Sequence, residues 1–376
     1  MHEHKHNQCR RKVKHRKNVM KLIIFCITVG ISLMFIYYQN LRKEIDARQK
    51  WLETVLTGEK KWILENQGPE GEFYMNGSKA GDVNPYFACM AALGLLAETK
   101  NCLITETEKK AVGRYLDWHT GILLETDGKM GIYRKKSGKL IYKEKADSED
   151  GYLGMYLFLM GKYLEKTEST DLPEYWKKGI SLALKKIQSL MQDGITQVSE
   201  ENTTVYLMDN LEVWKGLYEL EHAGLKDAQA IREMRNKLQA QIEKLFWDDA
   251  NQRWRIIENS DLYHQKEFYP DGVAQIYPLI YEFPVKEKKK QKILYEQFTE
   301  RFQWQKLTKK RNGFLWAMTG MAAAQMGDIN NLLEMIRNYE AEYCENRKYP
   351  LYTGEAGWIC MECEKLYSLY ERKINC

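Results

Sequence analysis

The sequence predicts an all-α protein, an (α/α)6 toroid preceded by one N-terminal transmembrane helix, and three observations carry that prediction. Six times after residue 70 the chain passes through polar and aromatic residues into an apolar helix rich in small residues. The segments between these helices have an i, i+3/i+4 apolar stripe with a Lys- and Glu-rich opposite face, the pattern of helices that cover a core on one side. Leu22–Tyr38 is an uncharged apolar run directly behind a basic arm. An α-solenoid is the alternative for the helical repeat, but it does not require the helix entries to converge.

From the N-terminus, residues 1–21 carry eight Lys and Arg against the single acid Glu3. Leu22–Tyr38 follows, and its 17 residues span roughly 25 Å at the helical rise. Tyr37 and Tyr38 close the run as interfacial aromatics. The segment is longer than the apolar core of a cleaved signal peptide and lacks an Ala-x-Ala-like end, so it reads as an uncleaved anchor. The heavier positive charge before it predicts a cytoplasmic N-terminus and an extracellular remainder. The expected organisation is a basic arm over 1–21, the membrane anchor over 22–38, a stalk over 39–50 and the toroid over 51–376. Outside the arm, 49 Lys and Arg face 51 Asp and Glu, so nucleic-acid binding is not indicated despite a net charge of +5.

The outer helices are expected over Glu44–Asn66, Thr105–His119, Pro173–Gln192, Lys226–Phe246, Val285–Trp304 and Asp328–Cys344. The inner ones are expected over Gly81–Leu96, Asp147–Leu159, Tyr206–Leu220, Tyr269–Ile280, Asn312–Gln325 and Thr353–Tyr367. Asn84 followed by Pro85 suits an N-cap and first turn, and Asp147 with Asp150 resembles a capping box. Thr353 precedes Glu355 in the same manner. Glycines in or beside the inner helices, among them Gly94, Gly154, Gly216 and Gly357, let buried backbones approach closely. Glu125–Lys145 can form a small hairpin with Ser137-Gly138 as its turn.

Eight cysteines in a chain of this size do not make a disulfide scaffold. Cys360-Met-Glu-Cys363 has zinc-like spacing, yet it lies in a helical pattern without a second pair, so packed thiols or a local disulfide are expected. No metal and no cofactor are called for. Asn76-Gly-Ser78 and Asn202-Thr-Thr204 match the glycosylation sequon.

On a toroid the N-terminal ends of the inner helices line one cleft. Asp82, Asp147, Glu149, Asp150, Asp209, Glu212, Asp271 and Glu355 fall at or near those ends. So do Tyr74, Tyr86, Tyr152, Tyr206, Trp214, Tyr269, Trp316, Tyr352 and Trp358. Hydrolysis of a glycosidic bond needs one protonated and one ionised carboxyl group, and aromatic rings supply platforms for sugar faces. Acids at helix N-termini also cap free N–H groups and complement the macrodipole, by about 0.5–2 kcal/mol each. Both readings stand for Asp147, Glu149 and Glu355.

At these residues the chain resembles the family 8 glycoside hydrolases, an (α/α)6 family containing bacterial cellulases and chitosanases. Asp82 and Tyr86 keep the spacing of the family's Glu and Tyr at the first inner helix, with Asp in place of Glu. ADSEDGYLGMYLFLMGKY (Ala146–Tyr163) keeps the last acid of the second signature, Asp150, and has Ser148 where the first stands. YPDGVAQIYP (Tyr269–Pro278) puts Asp271 near the Tyr-Asp-Ala motif of the fourth inner helix, with one residue inserted.

The resemblance covers about Gly71 to Tyr281. It implies an inverting hydrolase with Asp82 as acid, Asp271 as base and Asp150 as a sugar ligand. Such a pair stands roughly 6.5–9.5 Å apart to leave room for water. A second likeness, through YLMDNLEVWKGL and YPLYTGEAGWI, is to six-hairpin, glycosidase-like bacterial envelope proteins encoded with polysaccharide-synthesis genes. It implies no reaction but makes Asp209, Glu212 and Glu355 site candidates.

The expected function is a membrane-anchored glycoside hydrolase acting on an extracellular polysaccharide or oligosaccharide. Tyr86, Tyr152, Trp316 and Trp358 join Asp150, Asp209, Glu212 and Glu355 as expected substrate contacts. The alternative is a non-catalytic polysaccharide-binding or assembly component of an exopolysaccharide synthesis and export machinery. Other (α/α)6 chemistries fit less well. Lyases use Tyr, His or Arg near an acidic sugar, and the external His119, His222 and His264 are few; a lanthionine cyclase needs a Cys/Cys/His zinc set.

Overall fold

The computed structural model describes residues 2–375 apart from 78–80, 137–138, 169–171, 226–227, 259, 261–266 and 308–312, and leaves aside the side chains of 2–19, 22–24, 26, 374 and 375. Ser78, the Ser137-Gly138 turn, His264 and Asn312 lie outside the described residues. Two compact units result. One comprises Met1–Trp51 with Arg372–Cys376, and the other Leu52–Glu371. Among the described residues there are twelve α-helices. They are α1 (His2–Glu65), α2 (Pro85–Leu95), α3 (Glu106–Glu125), α4 (Glu149–Thr167), α5 (Glu174–Leu190), α6 (Leu207–His222), α7 (Ala228–Phe246), α8 (Val273–Ile280), α9 (Lys288–Phe302), α10 (Thr319–Met326), α11 (Ile329–Tyr339) and α12 (Thr353–Asn375).

Within Leu52–Glu371 the even-numbered helices form a closed inner ring. Helix α2 packs on α4, α4 on α6, α6 on α8 and α8 on α10. Gly320 of α10 faces Glu362 of α12, and Gly94 of α2 meets Gly357 of α12, which closes the circle. These contacts require glycine. A methyl added to Gly94 would lie 2.4 Å from the Gly357 Cα, and one added to Gly216 would lie 2.3 Å from the Gly154 carbonyl oxygen. The odd-numbered helices α3 to α11 cover the ring from outside. The Leu52–Glu65 stretch of α1 completes that layer, since Lys60 pairs with Glu108 of α3 and Glu59 accepts the hydroxyl of Tyr339 in α11.

Local signals explain most helix starts. Asn84 accepts the Tyr86 N–H and Pro85 occupies the first helical position, as the sequence predicts. Thr105 and Glu108 form a reciprocal capping box at α3.

Two expectations about caps are corrected. Helix α4 is capped by Ser148, whose Oγ accepts the Gly151 N–H at 3.1 Å, so Asp147 is not the cap. Helix α12 is entered at Thr353, which donates to the Tyr74 carbonyl at 2.8 Å, while Glu355 turns to another segment. Helix α10 also begins later than its apolar pattern suggests. Residues 315–317 lead into it without helical bonding because their amides face Glu355, and Trp316 takes a left-handed φ of 60°.

The expected hairpin is present as β2 (Gly131–Lys136) and β3 (Lys139–Lys145). A third strand, β1 (Asp82–Val83), joins it antiparallel, with Asp82 opposite Arg134. Among the described residues no helix is long and apolar enough to cross a membrane. Leu22–Tyr38 falls within α1, with several of its side chains outside the described residues.

Candidate active site

A cavity of about 240 Å3 opens at the N-terminal ends of the inner helices. Every inner helix, or the segment leading into it, contributes. Tyr86, Phe87 and Met90 come from α2, Asp147 and Ser148 from the turn before α4, and Tyr152 from α4 itself. Helix α6 supplies Met208, Asp209 and Glu212, and α8 with its leading turn supplies Tyr277 and Tyr269. Phe314, Trp316 and Met318 precede α10, and Glu355 and Trp358 stand one turn apart on α12. Asp209 and Glu212 likewise lie three residues apart on α6, so their side chains share one face.

Glu212 is 3 % exposed and forms the inner end of the cavity. Its Oε1 accepts the hydroxyls of Tyr86 and of Tyr277, the latter at 2.6 Å, and of Tyr281 at 3.4 Å. Burial raises its carboxyl to about 7, against the hydrogen bonds from Tyr277 and Tyr86, and the charges of Asp150 and Asp147 push the same way as burial. Asp209 is held well above the ordinary carboxylate range by burial, then by the charges of Asp150 and Glu212, with Ser148 opposing. Its surroundings therefore favour the protonated form.

Glu355 has both oxygens occupied by backbone. Oε1 accepts the N–H groups of Leu315 at 3.0 Å and Trp316 at 3.1 Å, and Oε2 accepts that of Ala317 at 2.8 Å. Burial nevertheless lifts it to about 7. Asp147, by contrast, is exposed at the mouth. It is left there because Ser148, not Asp147, caps α4.

The rings are arranged around these acids. Tyr86 packs on Tyr152 with centroids 5.5 Å apart, Tyr269 on Trp316 at 4.8 Å, and Phe87 stacks on Phe314 at 5.3 Å. A concave, aromatic wall with a few convergent polar groups is the usual character of a small-molecule site.

Seven of the eight expected substrate contacts meet in this cavity, namely Tyr86, Tyr152, Asp209, Glu212, Trp316, Glu355 and Trp358, and Asp147 and Tyr269, also placed at the helix ends by the sequence, join them. The three implied by the family 8 resemblance do not line it. Asp82 accepts Arg134 Nε at 2.5 Å and Lys143 Nζ at 2.9 Å. The Arg134 hydrogen bond, and after it that of Lys143, hold its carboxyl below the ordinary value despite partial burial. A carboxylate so paired is favoured in its ionised form, against the implied role of general acid. Asp271 is buried in the turn before α8, where its carbonyl accepts Gln275 Nε2 at 3.1 Å, and it does not line the cavity.

Asp150 is buried behind the cavity wall. It receives the Ser148 and Thr196 hydroxyls, both at 2.8 Å, and the Gly151 amide. Burial outweighs those bonds and lifts it to about 6. Its effect on the site is electrostatic, through Asp209 and Glu212, and it is not a sugar contact. Sequence reasoning left Asp147 open between helix cap and site acid and missed Phe87, Phe314 and Tyr281. The signal for Asp147 was Ser148, a better N-cap one residue later.

No family model matches the chain, and no curated protein matches it by sequence. Its fold is similar to solved glycosidases. A wild-type glycosidase aligns with a TM-score of 0.61 at 12% identity, over 87% of this chain and 98% of that one. A glycosidase variant in complex with glucose aligns at 0.58 and 13%, over 89% and 98%. The GH76A alpha-1,6-mannanase from Salegentibacter sp. HEL1_6 aligns at 0.56 and 9%, over 85% and 99%. The described helices and these neighbours together establish a mostly helical, glycosidase-like fold.

Proposed function

We propose that this protein is a glycoside hydrolase whose reaction takes place in the aromatic, carboxylate-lined cavity. The observation that carries the reading is the unlike environment of Asp209 and Asp147 within one cavity. Asp209 is pushed toward its protonated form by burial and by neighbouring acids, whereas Asp147 is exposed at the mouth. Glycosidic cleavage asks for that division. Asp209 gives its proton to the leaving oxygen as the glycosidic C–O bond breaks, and Asp147 takes a proton from the water that attacks the anomeric carbon.

Glu212 sustains the protonated state of Asp209 and fixes the hydroxyls of Tyr86 and Tyr277 at the inner end. Glu355 is a positioning residue. By gathering three amides it sets Trp316 against the cavity as a ring platform. The glycosidase neighbours support carbohydrate as the substrate class.

The tether is part of the same proposal. Along α1, Phe25, Ile31, Leu33, Met34 and Phe35 are exposed apolar side chains. A lipid phase would cover such a surface. Carbonate extraction of cell membranes tests it, and release of the full chain into the soluble fraction refutes it.

Activity is tested by incubating the full chain with a panel of polysaccharides and nitrophenyl glycosides beside Asp209→Asn and Asp147→Asn. Release of reducing sugar by the wild type alone is the expected result. No release by the wild type, with retained glycan binding, instead establishes a binding component of a polysaccharide system.

A further inference from the structure

A second depression, of about 870 Å3, lies beside the cavity and shares Asn84, Phe87, Asp147, Tyr152 and Phe314 with it. With five residues lining both, a ligand passes from one to the other without leaving the protein surface. The far wall is the three-stranded sheet, which supplies Asp82 from β1, Arg134 from β2 and Lys143 from β3. These three are fixed on one another. Asp82 Oδ1 accepts Arg134 Nε at 2.5 Å, and Oδ2 accepts Arg134 Nη2 at 3.0 Å and Lys143 Nζ at 2.9 Å.

A guanidinium has five N–H donors and an ammonium three, so the cluster retains donors beyond those used internally. Asp82 and Arg134 face one another across the β1–β2 pairing, which orients the groups before any ligand arrives. At the junction of the two depressions, Phe314 packs between Phe87 at 5.3 Å and Tyr352 at 5.5 Å. The cavity itself ends on Glu212, Tyr277 and Trp358, of which the last is 2 % exposed. A chain whose end unit occupies the cavity thus continues over the Phe87–Phe314–Tyr352 rings toward the sheet.

We propose that the cleft under the β1–β2–β3 sheet is a second carbohydrate site, where Asp82, Arg134 and Lys143 hydrogen-bond the hydroxyls of sugar units extending from the one held in the cavity. The inference rests on the carbohydrate reading above and adds that the ligand is a chain of mainly uncharged, hydroxyl-rich units. Paired charges of both signs suit neutral hydroxyls, which both accept and donate, better than a polyanion that must first break Arg134 from Asp82.

The test is calorimetric titration of the full chain with gluco-, manno- and N-acetylglucosamine oligosaccharides of one to six units. In the series that binds, affinity is expected to rise about tenfold or more from one unit to four. Arg134→Ala combined with Lys143→Ala is expected to abolish that rise and to leave the one-unit affinity within about twofold. Lys143→Gln, a milder change on an exposed strand residue, is expected to reduce the rise by about threefold, so a folding defect in the double variant cannot hide the result. A wild type with no length dependence, or a variant that loses one-unit and four-unit affinity equally, overturns the second site alone. Failure of every series to bind overturns the carbohydrate reading and the second site with it.

Discussion

The two ends of the inner ring hold their acids in opposite circumstances. At the C-terminal ends of the inner helices, Lys215 lies between Glu219 at 2.7 Å and Glu282 at 2.8 Å, Lys365 also pairs with Glu282, and Lys166 bridges Glu98 and Glu364. Burial alone would raise Glu282, yet Lys215 and Lys365 bring it down to about 2. At the N-terminal ends, among the described residues, neither Lys nor Arg pairs with Asp209, Glu212 or Glu355, and all three are raised. Glu282, held between two lysines, is drawn toward its ionised form; Asp209, Glu212 and Glu355, given only hydroxyls, amides and other acids, are drawn toward their protonated forms. The partner set, not the residue type, separates structure from chemistry here.

The largest test of this contrast is activity. Asp209→Asn is expected to lower kcat about 10²–10⁴-fold on any glycan the wild type cleaves, while Glu282→Gln leaves kcat within about twofold; initial-rate assays decide it. A comparable loss in both variants breaks the distinction. Stability should show the reverse order. Glu282→Gln leaves the buried Lys215 with Glu219 only and removes the partner of the half-exposed Lys365, at a cost of about 1–3 kcal/mol. Asp209→Asn removes a carboxyl that burial and neighbouring acids already push toward its neutral form, and is expected to be neutral or stabilising. Urea denaturation of both variants measures the difference.

pH sharpens the same comparison. Glu212 has a folded-state value of about 7 against 4.5 in the unfolded chain, so the folded state binds more protons between those values. Its stabilising contribution is therefore complete below about pH 4.5 and is lost as pH rises through about 7. Glu212→Gln is expected to remove that part of the decline, on the order of 2–3 kcal/mol at pH 8. Melting curves from pH 4.5 to 8 test it, and parallel wild-type and variant profiles refute the shift. The smallest expected effect concerns the ring itself. Gly216→Ala drives a methyl against the Gly154 carbonyl and should cost about 1–3 kcal/mol without altering the pH profile.

The helical repeat was legible because its signals are local. Apolar periodicity distinguishes the outer helices α3, α5, α7, α9 and α11 from the nearly all-apolar inner ones, and Asn84-Pro85 marks a helix start by chemistry within two residues. The expected cavity residues were legible for a related reason. In a closed ring of alternating helices, the inner N-terminal ends must share one face. The roles of the acids were not legible. Asp82, Asp150 and Glu212 look alike as residues near helix starts. Their partners, Arg134, Thr196 and Tyr277, come from 52, 46 and 65 residues away.

By itself the sequence determined the order of the helices, the inner and outer layers, and the end of the ring where acids and aromatics collect, because a helix's period and its caps are set by neighbours in the chain. Tertiary structure decided which of those acids favours its protonated form. It also set Asp82 apart on a strand that only the hairpin completes and turned Glu355 from a helix start into the clamp on residues 315–317. The reason is physical: a carboxyl group's ionisation depends on burial and on the charges and donors within a few ångströms, and folding alone brings those together.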